Sequence, residues 1–207
     1  MDLRINGAIE ATADVVKALN ETTEDVTLVI NSPGGSVLEG LQVVNAIRNC
    51  KRKVTAKVEV MACSMGGVIA LACQQVIMHK DDLLMLHNCM SYAEGNKEEI
   101  ANAIESMKAI DAVLHSIVME HAKDKTLDAR IDNGEVWLTG EQAAAMFDHV
   151  TIEEAAKKPD MVAVAGFAGV IHKLRDLEAE KREAERKANY KVPEDLQALL
   201  DSADKLE

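Results

Sequence analysis

The feature that most constrains this sequence is a repeated order of short apolar segment, small-residue turn and helix. Residues 26–30 are β-branched and almost continuously apolar, as expected of a strand buried on both faces. The turn at 31–36 contains a proline and two adjacent glycines, and helical spacing resumes over 37–49. A second unit runs from an alternating segment at 54–60 to a short helix of small residues at 64–73. This order predicts an α/β fold with a mainly parallel sheet.

The rest of the chain continues the alternation of strands and helices. The predicted segments are a strand at 2–6, a helix at 8–20, strands at 75–79 and 83–87, an amphipathic helix at 96–123, a polar loop at 124–135 and a helix ending at 146. The helix at 96–123 carries apolar residues over a wider arc than one core face requires. We therefore expect this helix to pack against another subunit in a homo-oligomer.

Charge and cysteine spacing exclude several classes of function. The 35 acidic residues against 23 basic ones give a net charge of −12, which repels nucleic acid and anionic membrane surfaces. The longest apolar run, 68–73, is too short to cross a bilayer, and no signal peptide is recognised, so we expect a cytoplasmic protein. The cysteines show no C-x-x-C pair, which predicts reduced thiols, no metal site and no cofactor; they are Cys50, Cys63, Cys73 and Cys89.

Three positions at predicted strand ends have the residue types that chemistry requires. The Gly34-Gly35 pair lets the backbone approach a ligand closely, although a tight turn has the same pattern. Ser64 stands at a strand-to-helix junction, where a nucleophile and an amide donor arrive together, although such a serine is often only a helix cap. His87 follows a strand and is a candidate general base, although a structural histidine is the commoner case.

In combination, three segments resemble the ClpP-type serine endopeptidases. They are Ile30-Asn31-Ser32-Pro33-Gly34-Gly35-Ser36-Val37, Ala62-Cys63-Ser64-Met65-Gly66 and Met85-Leu86-His87. The resemblance runs from about Leu3 to Ile152 and is closer to the head-maturation proteases of phages and prophages than to the housekeeping enzyme. It implies a ClpP/crotonase-like spiral of ββα units in which 96–123 is the handle helix. It also implies homo-oligomeric rings, single or stacked, that act on peptide or protein substrates.

The resemblance also implies roles for individual residues. Ser64 corresponds to the nucleophile and His87 to the general base, and the amides of Gly35 and Met65 correspond to the oxyanion hole. The serine-then-histidine order differs from that of the α/β-hydrolases, whose acid lies between the two. Neither a metal nor a cofactor is implied.

The third member of the triad is placed by the segment Trp137-Leu138-Thr139. In the family an acid precedes the corresponding segment, and counting back two residues from Trp137 leads to Glu135. Asp132 is the alternative. A glutamate can orient an imidazole, but its extra methylene requires a different backbone position.

These observations predict an ATP-independent or unfoldase-independent serine endopeptidase that functions in phage or prophage head maturation. Coupling to an AAA+ unfoldase is not expected because the chain begins almost on the first strand. The alternatives are an inactive ClpP-like scaffold in capsid assembly and a crotonase-type acyl-CoA enzyme. We expect a protease domain over 1–165, including the handle helix, and a charged, largely helical extension over 166–207.

Overall fold

A computed structural model of the protein describes residues 1–154, and their seven strands form one sheet. The elements in chain order are β1 (Asp2–Asn6), α1 (Ala13–Glu21), β2 (Val26–Ser32), α2 (Val37–Asn49), β3 (Val54–Cys63), α3 (Met65–Leu71), β4 (Gln75–Met78), β5 (Leu83–Leu86), α4 (Lys97–Met119), α5 (Leu127–Asp132), β6 (Val136–Thr139), α6 (Gly140–Met146) and β7 (Val150–Ile152). The predicted extension over 166–207 and the end of the predicted domain at 165 lie outside the described residues.

The sheet is mainly parallel, as the sequence predicts. Its main path has the order β1-β2-β3-β4-β7 with parallel pairs throughout. Strand β5 branches from this path as a parallel partner of β3, and β6 pairs with β5 in antiparallel register. Helices in the crossovers let successive strands point the same way, which brings the carboxyl ends of β2, β3 and β5 close together.

Strand β3 changes partner along its length, and this change positions the site. Its first half pairs with β4 through Thr55–Lys57, and its last residues pair with β5 through Met61–Cys63. Between the two halves Val60 adopts a φ of 75°, a left-handed conformation that a β-branched residue rarely takes. The amide of Val60 donates to the carboxylate of Asp82 at 3.1 Å, which stabilises this bend.

Asp82 is a buried carboxylate that ties the bend to the start of β5. Only 7% of the residue is exposed, and its second oxygen accepts a hydrogen bond from the amide of His79 at 2.6 Å. Burial raises the pKa of Asp82 above its ordinary value, and the two amide donors oppose that shift. One side chain thus fixes both the β3 bend and the turn that leads into β5.

The core is mainly aliphatic, and its large buried residues come from both the strands and the helical segments. The largest buried side chains include Ile30, Ile69, Leu84 and Phe147. Among residues 1–154, no helix has both the length and the apolar character that a membrane span requires.

Several predicted boundaries differ from the structure. The helix predicted at 8–20 begins only at Ala13, because Ile9 is paired with Gly35 in an isolated parallel bridge. The long helix ends at Met119 rather than at 123, since the chain turns so that the amide of Lys123 donates to the carbonyl of Met146. The loop predicted at 124–135 contains α5, and residues 136–139 form a strand.

Candidate active site

Ser64 stands between the end of β3 and the start of α3, in a strained backbone conformation. Its φ of 54° and ψ of −125° make it one of two non-glycine residues with positive φ among the described residues. Its amide donates to the carbonyl of Met85 on β5 at 2.8 Å. Within the described part of the chain, the hydroxyl caps no amide of α3, which distinguishes Ser64 from an ordinary helix cap. The sharp turn instead aims the hydroxyl away from the helix.

The imidazole of His87 forms a hydrogen bond with this hydroxyl. His87 follows the last residue of β5, and its Nε2 lies 2.7 Å from the Oγ of Ser64. A neutral imidazole with its lone pair at Nε2 accepts the Ser64 hydroxyl proton at this distance. The parallel register of Cys63 with Met85 brings the two strand ends together, so both residues meet at one edge of the sheet.

The glycine turn after β2 lies directly against Ser64. Gly34 has a φ of 104°, and a Cβ on it would come 2.6 Å from the Cβ of Ser64. The turn is held by Ser32, whose buried hydroxyl donates to the carbonyl of Gly7 at 2.7 Å and accepts from the amide of Gly34 at 3.1 Å. The sequence analysis did not assign a role to Ser32, although its place two residues before the glycine pair is typical of a serine that stabilises its own turn.

The amides of Gly35 and Met65 belong to the glycine turn after β2 and to the start of α3. In the bridge between Ile9 and Gly35, the two hydrogen bonds use the carbonyl of Gly34 and the amide of Ser36. The amide of Gly35 itself therefore points away from Ile9. Met65 is the first residue of α3, a position where an amide has no partner within its own helix. Both are backbone amides close in sequence to the glycine turn or to Ser64, and their role in an oxyanion hole stays a prediction.

Glu135 and His87 adjoin the last pair in the register of the antiparallel strands β5 and β6. Met85 pairs with Trp137 and Leu86 with Val136, and the paired residues end there. His87 is the residue directly after β5, and Glu135 is the residue directly before β6. The carboxylate of Glu135 also accepts a hydrogen bond from the indole of Trp137 at 2.9 Å.

Asp132, the other candidate acid, contacts the residue after His87. Its carboxylate accepts a hydrogen bond from the side-chain amide of Asn88 at 3.3 Å. The side chain of Asn88 also meets His115, whose Nε2 lies 2.7 Å from the Asn88 Oδ1. Asp132 is therefore placed to hold the segment after the histidine.

The cysteines near the site have the properties of structural thiols. None of the four forms a disulfide; Cys63 and Cys73 are buried, and Cys50 and Cys89 are partly buried. Burial raises the pKa of Cys89 to about 11, and the nearby Asp111 carboxylate adds to the effect. A thiol that holds its proton so firmly is a poor nucleophile at neutral pH.

Comparison with known proteins identifies the family of this chain. Residues 8–151 match the family model described as Clp protease. The chain belongs to the Clp protease family. This membership agrees with the predicted resemblance and with the observed fold, and it is consistent with a peptidase.

Three relatives illustrate the range of similarity within the Clp protease family. Each is named as an ATP-dependent Clp protease proteolytic subunit. The protein from Carsonella ruddii is 30% identical over 128 residues, which is 58% of this chain and 66% of that protein. The protein from Leuconostoc citreum is 28% identical over 169 residues, 75% of this chain and 84% of that one. The protein from Bacteroides fragilis is 26% identical over 138 residues, 63% of this chain and 66% of that one. The chain thus spans just under two thirds of two of these relatives.

Proposed function

We propose that this chain is a serine endopeptidase with Ser64 as nucleophile and His87 as general base. The observation that carries the proposal is the 2.7 Å contact between the Ser64 hydroxyl and the His87 Nε2. Ser64 Oγ attacks the peptide carbonyl carbon while its proton passes to His87. The amides of Gly35 and Met65 donate to the oxyanion that forms. His87 then protonates the leaving amine. In the second half of the reaction, water attacks the acyl-enzyme while His87 takes its proton, and His87 then returns that proton to Ser64.

For the acid, we propose Glu135, with Asp132 as the alternative. The register that ends with Leu86 opposite Val136, one residue from His87 and from Glu135, supports this choice, as does the contact of Asp132 with Asn88 instead. A carboxylate at that place would orient the imidazole so that Nε2 faces Ser64, and it would stabilise the imidazolium.

Labelling with a fluorophosphonate probe tests the nucleophile. The wild-type chain should be labelled at Ser64, and Ser64→Ala should lose both the label and peptide hydrolysis by about three orders of magnitude or more. Ser116→Ala removes an exposed hydroxyl from α4 and serves as the matched control, with labelling unchanged. Labelling of Ser64→Ala, or hydrolysis within about tenfold of wild type, would refute the assignment.

Labelling, together with a measurement of acyl-CoA binding, separates the alternatives. An inactive scaffold would assemble but take no label. A crotonase-type enzyme would bind acyl-CoA, and that binding would survive the loss of the Ser64 hydroxyl.

We also propose that copies of this chain assemble through α4, as the resemblance to ring-forming proteases implies. The helix is buried only in its second half, at Leu114, Ile117 and Val118. In its first half, Ile100 is 40% exposed and Ile104 is 49% exposed in the single chain, and the two lie on one face. Apolar side chains in such an arrangement are typical of a surface that a partner covers.

Sedimentation of two charged variants tests this assembly. Ile104→Glu should lower the mass of the oligomer, because it places a carboxylate inside the subunit contact. Ser106→Glu adds the same charge on the opposite side of the helix and should leave the mass unchanged. A wild-type monomer at micromolar concentration would contradict the proposal.

We further propose that the enzyme acts without an ATP-driven unfoldase, as a head-maturation protease would. The segment Trp137-Leu138-Thr139 and the resemblance to the phage branch support this part. Cleavage of an unfolded polypeptide should then proceed equally with and without ATP. The cytoplasmic location stays a prediction.

A further inference from the structure

A second cluster of side chains forms where the end of α4 meets β7. His121 lies in the turn after α4, and Asp148 and His149 lie between α6 and β7. The potential ligand atoms of these three residues all lie within 4.8 Å of one another. None of the three belongs to the proposed triad or oxyanion hole. The cysteine spacing predicts no metal site, and His121 lies too far from Asp148 and His149 in sequence to form a local metal-binding motif with them.

Backbone hydrogen bonds hold the cluster in place. The amide of Asp148 donates to the carbonyl of His121 at 3.1 Å, and Ala122 forms an antiparallel bridge with Phe147. The amide of Val76 on β4 donates to the carbonyl of His149 at 3.0 Å. The three side chains therefore project from two segments that are fastened to each other and to the sheet.

His149 presents a buried nitrogen that the fold does not satisfy. Its side chain is only 7% exposed, and its Nε2 lies 3.2 Å from the carbonyl oxygen of Leu71. A carbonyl only accepts, so Nε2 carries the proton and Nδ1 has the lone pair. Within the described residues, the buried Nδ1 has no hydrogen-bond partner. A buried polar atom without a hydrogen-bond partner is uncommon in folded proteins, and a bound water or ion often supplies the partner.

The other two side chains face this nitrogen. The Nδ1 of His121 lies 2.9 Å from the Oδ1 of Asp148, and the Nδ1 of His149 lies 3.7 Å from the same oxygen. The two imidazole rings are stacked with their centroids 4.0 Å apart. Burial and the neighbouring His121 lower the pKa of His149, which agrees with a neutral ring. Two imidazoles and one carboxylate thus converge on a small volume.

This donor set matches divalent transition-metal ions. Two imidazole nitrogens with a carboxylate oxygen suit zinc and other late first-row metals, of which zinc is the one that needs no redox chemistry, whereas magnesium and calcium prefer oxygen ligands alone. The hydrogen bond from His149 Nε2 to Leu71 is the outer contact that commonly fixes the tautomer of a metal-binding histidine. His121 is 34% exposed and Asp148 61% exposed, so the solvent side is open to an entering ion and to a water ligand.

We propose that His121, Asp148 and His149 form a zinc site, in which both histidines bind through Nδ1 and Asp148 binds through a carboxylate oxygen. On binding, His121 carries its proton on Nε2 rather than on Nδ1, so both rings stay neutral. One ligand comes from the turn after α4 and two come from the segment just before β7. The ion therefore cross-links these two parts of the chain and stabilises the folded state.

Native mass spectrometry and thermal unfolding of the untagged full chain test the proposal. After treatment with EDTA and buffer exchange, wild type should take up one zinc ion per chain, and its Tm should rise with added zinc sulfate. Magnesium chloride should produce neither effect. Loss of a ligand on the exposed side, in His121→Gln or Asp148→Asn, should weaken zinc affinity by about tenfold or more without unfolding the protein.

Two controls make the outcome decisive. His79→Gln removes a histidine outside the cluster, whose Nδ1 lies 2.9 Å from the backbone carbonyl oxygen of Glu153, and should bind zinc like wild type. Ser64→Ala should do the same, so the zinc result is independent of the protease proposal. If wild type takes up no zinc, or if His121→Gln retains wild-type affinity, the cluster is an ordinary His–Asp ion pair and the proposal is wrong.

Discussion

A Cβ atom on Gly34 would lie 2.6 Å from the Cβ of Ser64 and 2.9 Å from the carbonyl oxygen of Cys63. Separations this short do not occur between real side chains, so the turn after β2 fits against Ser64 only because residue 34 is glycine. The adjacent Gly35 supplies one of the two amides proposed for the oxyanion hole. The turn therefore packs directly against the proposed nucleophile, Ser64.

Gly34→Ala should reduce peptide hydrolysis by about a hundredfold, because the new methyl group must displace either the turn or Ser64. It should also lower the free energy of unfolding by about 1–3 kcal/mol, since alanine is strained at a φ of 104°. Steady-state kinetics and urea unfolding measure the two effects.

Gly7→Ala is the matched control for this change. Gly7 also has a positive φ, 81°, but a Cβ there meets no atom within 4 Å among the described residues. It should lose stability to a similar extent while keeping most of its activity. Equal loss of activity in both variants would show that backbone strain, rather than contact with Ser64, is responsible.

Glu135→Gln should lose more activity than Asp132→Asn. Glu135 and His87 adjoin the last pair of the β5–β6 register, Val136 with Leu86, and removal of a triad carboxylate lowers kcat by about two to four orders of magnitude. Asp132 contacts Asn88 instead, so its loss should stay within about tenfold of wild type. Values of kcat from variants with unchanged Tm decide the ranking, and the reverse order would assign the acid to Asp132.

Val60→Gly should stabilise the protein by about 1 kcal/mol. Val60 is 43% exposed, so little packing is lost, while the strain of a β-branched residue at a φ of 75° is relieved. Thr55→Gly, in an ordinary part of β3, should destabilise by about 1 kcal/mol because glycine weakens a strand. Urea unfolding measures both, and destabilisation by Val60→Gly would show that the bend is held by the valine side chain.

Cys89 should react slowly with iodoacetamide at neutral pH. Its pKa is raised to about 11, and only the thiolate is alkylated. At neutral pH the thiolate is therefore a very small fraction of the Cys89 side chain. The rate should be about a hundredfold below that of a free thiol such as glutathione at pH 8, and should rise as the pH approaches 11. Peptide mapping by mass spectrometry gives the rate.

Asp111→Asn provides the matched variant for Cys89. Loss of the carboxylate charge removes one cause of the raised pKa, so alkylation of Cys89 should become faster. Rapid alkylation in wild type, together with loss of activity, would instead make Cys89 a candidate for the catalytic thiol.

Local sequence patterns were sufficient to predict most elements and their order. The strand at 2–6 was predicted with the boundaries that the structure shows. The Thr139-x-x-Gln142 spacing is typical of a capping box, and the structure forms one at the start of α6. These features depend on hydrogen bonds and side-chain periodicity within a few residues, which the sequence displays directly. The position of Ser64 and His87 at strand ends could be predicted for the same reason, whereas their proposed roles depended on the resemblance to a family.

Tertiary structure decided which distant residues meet. The short strand β6 has no clear signal of its own, and only its antiparallel pairing with β5 sets Val136 opposite Leu86, the residues next to Glu135 and His87. His121 and His149 are separated by α5, β6 and α6 along the chain, yet their rings are stacked. Register, the bend at Val60 and the burial of His149 Nδ1 all depend on contacts between segments far apart in sequence. Such contacts form only when the whole sheet and its helices pack, so no local pattern specifies them.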